Sequence, residues 1–503
     1  MAVRAEHASL TEWLRTSLTP EELGHIGIVS LNQWPFMCAV VGEVALTARA
    51  MGSQVTVGMW ADDTPLPDPG WTTSRALAAL TMSRSIDQNL ERGLVRAGLP
   101  RSSIARPPIS RWRPTDLPEI PDPVNRIAIR SLRYHGSPMG RSILQVHPDR
   151  NTPIHDDYVW PRAYTERAVK SYAWVYDQVS ELIRQRGITT LVVFNGRFTH
   201  DQAAAAAAQA QGARVLYYDA GGLETGFDLT FSTTHDWADL QHRMLHMWET
   251  WPEGEREEIG HTWFLNRQAH KEPGLQAFVE FQERGNLEGV PEADILVAFF
   301  SSSPDEIAEL DLDWSEYLGS QPQALATLAD AVRETPGAQL VVRTHPHMRL
   351  KPHDDLVQWR AAVAAAEPTA HFDAGDPLDS YGLMRTADIV FTYGSTSGVE
   401  AASMGKPVVV MGPSAYDLLG CVTRARSAED VKSAIQQPIA LPADKALPYG
   451  LMMQRRGFNF EHLTGDERTT FSLGDTALSD ANPWARKLGD ARKQRRMARW
   501  LTH

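Results

Sequence analysis

A strand–turn–helix–strand pattern at residues 387–411 constrains the fold more than any other part of the sequence. The apolar run 387–391 is followed by Gly394 and then by three hydroxyl residues, Ser395, Thr396 and Ser397. A short helix rich in small residues and a second apolar run come next. Hydroxyl side chains beside the free N–H groups of a helix N-terminus favour phosphate binding. The pattern therefore predicts an α/β domain with an anion-binding turn at a strand end.

A second polar strand end lies upstream of this pattern. The apolar strand 339–343 ends in Arg343, Thr344, His345, Pro346 and His347. Since the carboxyl ends of neighbouring parallel strands share one edge of a sheet, the two strand ends together predict a nucleotide mono- or diphosphate ligand. Structural roles stay open: His345 as a core histidine, Arg343 in an ion pair, and the three hydroxyls as helix caps.

The spacing of apolar strands and helices predicts two domains. Strands at 25–31, 54–59, 189–194 and 213–218 alternate with helices in the first half, and strands at 294–300, 339–343, 369–372 and 387–391 do so in the second. The fold class expected is α/β, with two Rossmann-like parallel-sheet domains facing a central cleft. We place the domains at residues 1–288 and 289–475, with a basic C-terminal helix at 476–503 packing across them.

Composition and missing motifs exclude several classes of protein. Neither half has a G-x-G-x-x-G turn after its first strand, and no Walker A pattern occurs, so dinucleotide oxidoreductases and P-loop NTPases are disfavoured. The net charge of −13 argues against nucleic-acid binding. Two distant cysteines fit a reducing compartment. Without a signal-peptide pattern or a membrane-spanning apolar run, a soluble cytoplasmic protein is expected.

The two motifs of the second half resemble a known family. Arg343, Thr344, His345 and Pro346, followed some fifty residues later by the Tyr-Gly-Ser-Thr-Ser-Gly-Val-Glu sequence at 393–400, are similar to the C-terminal half of GT-B glycosyltransferases. The resemblance is to the bacterial capsule polysaccharide biosynthesis type, itself similar to sialyl- and Kdo-transferases that use CMP-sugars. The segments 194–198 and 218–222 resemble the strand-end segments of the same family, where an acidic residue before a glycine faces the cleft.

The resemblance implies a role for each strand end. The C-terminal half would bind the donor nucleotide through Arg343, Pro346, Ser301, Ser302, Gly394, Ser395, Thr396, Ser397 and Glu400. Asp219 would be the base that deprotonates the acceptor, and His345 would stabilise the leaving phosphate. The acceptor would be bound by Asn195, Arg197 and Glu224, of which Glu224 is also the second choice for the base.

Simpler explanations remain for most of these residues. Glu400 would reach ribose hydroxyls from one turn inside its helix, or it would simply face solvent. Ser301 and Ser302 would line the pocket or cap the following helix. Glycines beside Asn195 and Asp219 would let a ligand approach the backbone, although turn formation explains them equally well.

No metal or other cofactor is expected. The His-Asp-Asp triplets at 155–157 and 353–355 cannot each direct three side chains at one ion, and neither has a further His or Cys at ligand spacing. The tail at 483–500 is strongly basic and would contact an anionic membrane carrying a lipid-linked acceptor, or would pack across the domains with its charged side in water. The partners expected are a nucleotide-sugar donor and a saccharide or glycolipid acceptor, with no nucleic acid.

Three other functions fit parts of the pattern. A non-hydrolysing nucleotide-sugar 2-epimerase shares the fold and would turn over a UDP-sugar without an acceptor. A CDP-polyol phosphotransferase would release CMP and leave phosphate in its product. A non-catalytic sugar-nucleotide-binding protein would bind a nucleotide tightly without turnover. The main expectation is a metal-independent glycosyltransferase that uses a nucleotide-activated, CMP-linked or other, donor in surface polysaccharide biosynthesis.

Overall fold

The computed structural model describes residues 9–31, 34–60, 73–106, 116–145, 158–222, 225–271, 279, 282–303, 309, 317–351, 353–465 and 470–478, with only the backbone for 73–84. The chain forms two compact units. Unit 1 comprises Met1–His147, Val159–Thr234 and Gly457–His503, and unit 2 comprises Pro148–Tyr158 and His235–Arg456. None of the helices in these described ranges has the length and hydropathy that crossing a bilayer requires.

Unit 1 is built on a six-stranded sheet in the order β3-β2-β1-β4-β5-β6. The strands are parallel except β6, which runs antiparallel to β5. Its elements are α1 Leu10–Ser17, β1 His25–Ser30, α2 Pro35–Ala50, β2 Gln54–Met59, α3 Thr73–Arg96, β3 Ile104–Ala105, α4 Arg126–Arg130, α5 Met139–Leu144, α6 Arg162–Arg186, β4 Thr190–Phe194, α7 Thr199–Ala210, β5 Arg214–Ala220 and β6 Phe227–Thr230.

Unit 2 has a second six-stranded sheet, in the order β12-β11-β10-β7-β8-β9, and all its strand pairs are parallel. Its elements are α8 Trp237–Thr250, α9 Glu253–Gln268, β7 Ile295–Phe300, α10 Gln321–Arg333, β8 Ala338–Arg343, α11 His353–Ala366, β9 Ala370–Phe372, α12 Ser380–Thr386, β10 Ile389–Thr392, α13 Ser397–Ser403, β11 Val408–Val410, β12 Thr423–Arg424, α14 Ala428–Gln436 and α15 Leu447–Arg455.

Both sheets follow the doubly wound order 3-2-1-4-5-6 when strands are counted from the first in each unit. The strand order reverses between β1 and β4 in unit 1, and between β7 and β10 in unit 2. The predicted α/β class with two Rossmann-like units is therefore confirmed. The central cleft that the two domains were expected to face stays a prediction.

Buried apolar runs explain why these strands lie at the centre of each unit. Every residue of β1 is buried, as expected for a parallel strand covered on both faces. The alanine run of α7, residues 203–208, is also buried throughout, which confirms that it is a helix packed closely on neighbouring elements. In unit 2, the strand side chains divide between two apolar clusters, as helices on both faces of the sheet require.

The boundary between the units differs from the predicted 288/289 division. Helices α8 and α9 belong to unit 2, because α9 packs directly against α15. Gly260 and Gly450 allow this approach, since a Cβ added at Gly450 would lie 2.5 Å from the Gly260 carbonyl oxygen. The polar helical sequence of this stretch gave no indication of which sheet it would cover.

The chain also returns to unit 1 after α15. A three-stranded antiparallel sheet of β13 Leu463–Gly465, β14 Phe471–Leu473 and β15 Thr476–Ala477 packs there on α2 and α3. The buried Glu43 carboxylate accepts hydrogen bonds from the backbone N–H groups of Glu461 and His462, 2.9 Å each. Residues 476–477 are thus strand rather than helix, and the rest of the predicted basic helix, 479–503, lies outside the described residues.

Two further differences concern elements without a strong sequence signal. The short edge strand β3, which pairs with Val57 and Gly58 of β2, is not among the predicted strands. The antiparallel strand β6 was not predicted either, because it is only four residues long.

Candidate functional site

The carboxyl ends of β7, β8 and β10 meet at a cavity of about 350 Å³ inside unit 2. This position is the topological switch point of the sheet, where doubly wound folds bind their ligands. All of the residues predicted for donor binding line the cavity, and so does His345. They are Ser301, Ser302, Arg343, Pro346, Gly394, Ser395, Thr396, Ser397 and Glu400.

His345 is held in one orientation by its neighbours. Its backbone N–H donates to Ser301 Oγ over 2.8 Å, and its Nδ1 accepts from the backbone N–H of His347 over 3.1 Å. Because Nδ1 is an acceptor, the neutral ring carries its proton on Nε2. The His345 ring, which was predicted to lie at the end of β8, therefore carries an N–H donor at Nε2. The single helical turn Pro346–Leu350 follows it.

Arg343 combines a structural role with an unpaired donor. Its Nη1 donates to the Asp373 carbonyl oxygen over 2.6 Å and its Nη2 to the Asp376 carbonyl oxygen over 3.2 Å. The residue is 2% exposed, and its Nε has no hydrogen-bond partner in the described part of the chain. Burial lowers the pKa of Arg343 to about 10, against the opposing effect of the Asp376 and Asp373 charges. The guanidinium is therefore still a buried cation at neutral pH.

The hydroxyl turn, residues 394–397, depends on a glycine conformation. Gly394 has φ +84°, and a Cβ there would lie 1.9 Å from the Pro413 carbonyl oxygen. The Ser395 and Ser397 hydroxyl oxygens are 3.1 Å apart, and the hydroxyl of Tyr416 donates to the Ser395 carbonyl oxygen. Thr396 is exposed at the cavity. The turn thus presents three hydroxyl side chains in a fixed arrangement.

The backbone N–H groups of this turn are used differently from the prediction. The N–H of Ser395 donates to Thr392 Oγ1 over 3.1 Å, that of Ser397 to Ser395 Oγ over 3.4 Å, and that of Gly398 to the Ser395 carbonyl oxygen over 3.0 Å. The expectation of free helix N-terminal N–H groups is wrong for these three, because two nearby hydroxyl oxygens and one carbonyl oxygen accept them. These three N–H groups are therefore not available to an anion, and the hydroxyl side chains remain as donors of the turn.

Glu400 is paired inside the protein rather than facing solvent. Its Oε1 accepts from Arg267 Nε over 2.9 Å, with the two residues 4% and 5% exposed. Burial disfavours the charged guanidinium, but Glu400, with smaller contributions from Tyr381 and Tyr449, raises the pKa of Arg267 above its ordinary value overall. Burial, and next the Glu400 charge, raise the pKa of Tyr381, which also lines the cavity.

Aromatic rings form another part of the cavity wall. Trp263 lies 5.5 Å from Tyr449 between ring centroids, and Tyr449 lies 6.0 Å from Tyr416. The Arg267 guanidinium is 5.3 Å from the Trp263 ring centroid, at cation–π distance. Trp263 is fully buried, and its Nε1 has no hydrogen-bond partner among the described residues. These aromatic residues and Arg267 were missed by the sequence analysis, because they lie on α9, α15 and loops distant in sequence from the two motifs.

The predicted residues of unit 1 lie at the carboxyl ends of β4 and β5. Asn195 Nδ2 donates to Asp219 Oδ2 over 2.6 Å, and the Ala220 N–H donates to Asp219 Oδ1 over 2.7 Å. Asp219 is inside β5, opposite Asp228 of β6, rather than directly after the strand as predicted. The strand continues to Ala220 because β6 supplies hydrogen bonds on that side.

Strain marks the end of β4. Asn195 has φ +46° and Gly196 has φ +77°, and Asn195 is buried with Oδ1 lacking a partner among the described residues. A non-glycine residue in this region is uncommon and is often found at functional sites. Arg197 stacks its guanidinium 5.2 Å from the Phe198 ring centroid. Glu224 lies outside the described residues, so its predicted role has no structural account.

Metal ligands were not predicted for this chain. Within the described ranges, no group of three or more His, Cys, Asp or Glu side chains is arranged to hold an ion. The triplet at 155–157 lies outside those ranges. In the triplet at 353–355, Asp355 is buried while His353 is exposed, in the first turn of α11.

Residues 313–446 match the family described as capsule polysaccharide biosynthesis protein. This range contains both motifs of unit 2, from Arg343 to the hydroxyl turn. The match confirms the resemblance to this family that the motifs predicted. No curated protein matches the chain.

Several solved structures are similar to the chain at low identity. A Thermosulfurimonas dismutans KpsC described as a beta Kdo 2,7 transferase has 16% identity and a TM-score of 0.35, covering 55% of this chain and 80% of that one. The spinosyn rhamnosyltransferase SpnG has 14% identity and a TM-score of 0.28, covering 86% and 96%. A Listeria monocytogenes protein described as a putative UDP-N-acetylglucosamine 2-epimerase has 12% identity and a TM-score of 0.26, covering 87% and 92%. Likenesses at this level carry no argument about activity.

Proposed function

We propose that the chain is a glycosyltransferase of surface polysaccharide biosynthesis whose unit 2 binds the nucleotide of an activated sugar donor. A CMP-linked sugar is the first donor to test, because the motifs at 343–346 and 393–400 resemble those of transferases that use such donors. The family matched by residues 313–446 supports a role in capsule synthesis. The acceptor in this proposal is a saccharide or a glycolipid.

The observation that carries the proposal is the chemistry of the cavity in unit 2. Its described lining has two guanidinium groups, from Arg267 and Arg343, and one carboxylate, from Glu400. The cavity is therefore cationic in a protein whose net charge is −13. Buried cations that line a cavity attract an anion. The unpaired Nε–H of Arg343 adds a buried donor that a phosphate oxygen would satisfy.

The same groups would assist departure of the nucleotide. The Nε2–H of His345, the Ser395 and Ser397 hydroxyls and the Arg343 guanidinium all donate hydrogen bonds, so they stabilise negative charge that develops on the leaving phosphate. These donors require no divalent ion. The proposed reaction is therefore metal-independent.

Asp219 is proposed as the base that removes the proton of the acceptor hydroxyl. Asn195 fixes its carboxylate through the 2.6 Å hydrogen bond, which orients the remaining lone pairs. Asn195 and Arg197 are proposed to contact the acceptor. These roles rest on the arrangement at the ends of β4 and β5 and on the family resemblance.

The proposal is tested by nucleotide binding to the purified chain. Thermal shift and calorimetry with CMP, CDP, UDP and GDP should identify one nucleotide that stabilises the native state. His345→Ala should weaken its binding roughly ten- to a hundred-fold, since a hydrogen bond to a charged phosphate contributes about 1.5–3 kcal/mol. His353→Ala is the matched control, because His353 is exposed and does not line the cavity.

Two outcomes would reject the proposal. The first is that none of the four nucleotides binds the wild-type chain. The second is turnover of a nucleotide sugar to its 2-epimer without any acceptor, which would identify an epimerase. Transfer of radiolabelled sugar to an oligosaccharide acceptor, with release of the free nucleotide, is the expected result.

A further inference from the structure

We infer that Arg267 is a positioning residue of the nucleotide pocket and that Glu400 is its counter-ion rather than a ribose ligand. This inference rests on the proposed donor-binding function of unit 2. It changes the role that the sequence analysis gave to Glu400 and adds a residue from α9 to the site.

The first argument is the geometry of the pair. Arg267 Nε and Glu400 Oε1 are 2.9 Å apart, and both residues are almost completely buried. Trp263 lies beneath the guanidinium at 5.3 Å, and the electrostatic influence of both charged groups reaches Tyr381. The Glu400 carboxylate is already neutralised and oriented by Arg267. Breaking this buried ion pair would cost free energy. A ribose hydroxyl would have to compete with a charge-assisted hydrogen bond.

The second argument is the position of Glu400 relative to the hydroxyl turn. The Glu400 backbone N–H donates to the Thr396 carbonyl oxygen over 3.1 Å, so the carboxylate starts one helical turn after Thr396. An unpaired carboxylate this close would repel a phosphate bound to the turn. Arg267 removes that repulsion. It also ties the first turn of α13 to α9, which fixes the turn's hydroxyls.

The third argument is the charge of the cavity under substitution. With Arg267, Arg343 and Glu400 present, the described lining is cationic by one charge. Arg267→Met makes this lining neutral, and Glu400→Gln increases its positive charge. Replacing both Arg267 and Glu400 returns the lining to its original net charge of one positive charge, which Arg343 then carries alone. Counter-ion and ribose-ligand roles for Glu400 therefore predict different orders of affinity.

The experiment is a double-substitution cycle read by calorimetry with CMP and 2′-deoxy-CMP. If CDP, UDP or GDP is the nucleotide that binds, that nucleotide and its 2′-deoxy form are used instead. Arg267→Met should weaken nucleotide binding by about tenfold or more, and Arg267→Met/Glu400→Gln should recover it to within about threefold of wild type. Glu400→Gln alone should bind at least as tightly as wild type. The ratio of ribo- to deoxynucleotide affinity should be the same in Glu400→Gln as in wild type.

The control pair is Arg184→Met with Glu181→Gln, an exposed arginine–glutamate pair on α6 that should not affect binding. If either single variant does not fold, the double variant still decides, because it leaves neither charge of the buried pair without its partner and its ratio of ribo- to deoxynucleotide affinity should equal that of wild type. Two results would overturn the inference: loss of the ribose preference in Glu400→Gln, or a double variant that binds as weakly as Arg267→Met. A wild-type chain that binds none of CMP, CDP, UDP and GDP would reject the proposed function itself, and the inference with it.

Discussion

Gly394→Ala should damage both the stability and the nucleotide binding of unit 2. The residue has φ +84°, a conformation that costs an L-residue about 1–2 kcal/mol. Its new Cβ would also lie 1.9 Å from the Pro413 carbonyl oxygen, and relief of that overlap requires a backbone shift of about 1–3 kcal/mol. We therefore expect a total loss of about 2–5 kcal/mol in the free energy of unfolding.

Gly405→Ala separates the two contributions. Gly405 has φ +76°, but an added Cβ meets no described heavy atom within 4 Å. This variant should lose only the conformational part, about 1–2 kcal/mol, and should bind nucleotide normally. Urea unfolding followed by circular dichroism measures the stability, and calorimetry measures the affinity. If Gly394→Ala is no less stable than Gly405→Ala, or binds nucleotide equally well, the fixed hydroxyl turn is not what the site depends on.

Three other perturbations have defined outcomes. Asp219→Asn should keep the fold and the nucleotide affinity while turnover falls at least about a hundredfold, and near-normal turnover would contradict its role as base. Turnover should persist in EDTA, and a loss restored by magnesium or manganese would contradict metal independence. Burial raises the pKa of Glu43 from its ordinary 4.5, so the stability linked to its protonated form is lost as pH rises above that value. Urea midpoints should therefore show wild type losing stability relative to Glu43→Gln as the pH rises above 4.5.

Much of the fold follows from local sequence signals. Strands such as β1, β7 and β8 are continuous apolar runs bounded by polar turns, so their existence and approximate limits could be predicted. The carboxyl ends of β7, β8 and β10 could then be expected to lie close together, because the carboxyl ends of parallel strands share one edge of a sheet. This rule is why Ser301, His345 and the hydroxyl turn could be assigned to one site before their geometry was known.

Long-range pairings had no such signal. Glu400 and Arg267 are 133 residues apart, and their ion pair depends on the packing of α9 against α15. The close approach at Gly260 and Gly450 decides that packing, yet each glycine alone is compatible with many environments. The same limit explains the misplaced domain boundary. Amphipathic helices such as α8 and α9 indicate that they cover a sheet, but not which sheet.

The hydroxyl turn shows that correct residues do not guarantee the correct contacts. The sequence placed Ser395, Thr396 and Ser397 at a strand end, where helix N–H groups were expected to bind phosphate. In the structure, Thr392 and Ser395 oxygens accept N–H groups of the turn, since short hydroxyl side chains compete for nearby backbone donors. We then expect the hydroxyl donors and the buried guanidinium of Arg343 to contribute to anion recognition. Such a site selects its ligand by charge and by the spacing of a few side chains, so Arg343→Lys, which keeps the charge but loses the planar fork, should weaken nucleotide binding while Arg343→Met should abolish it.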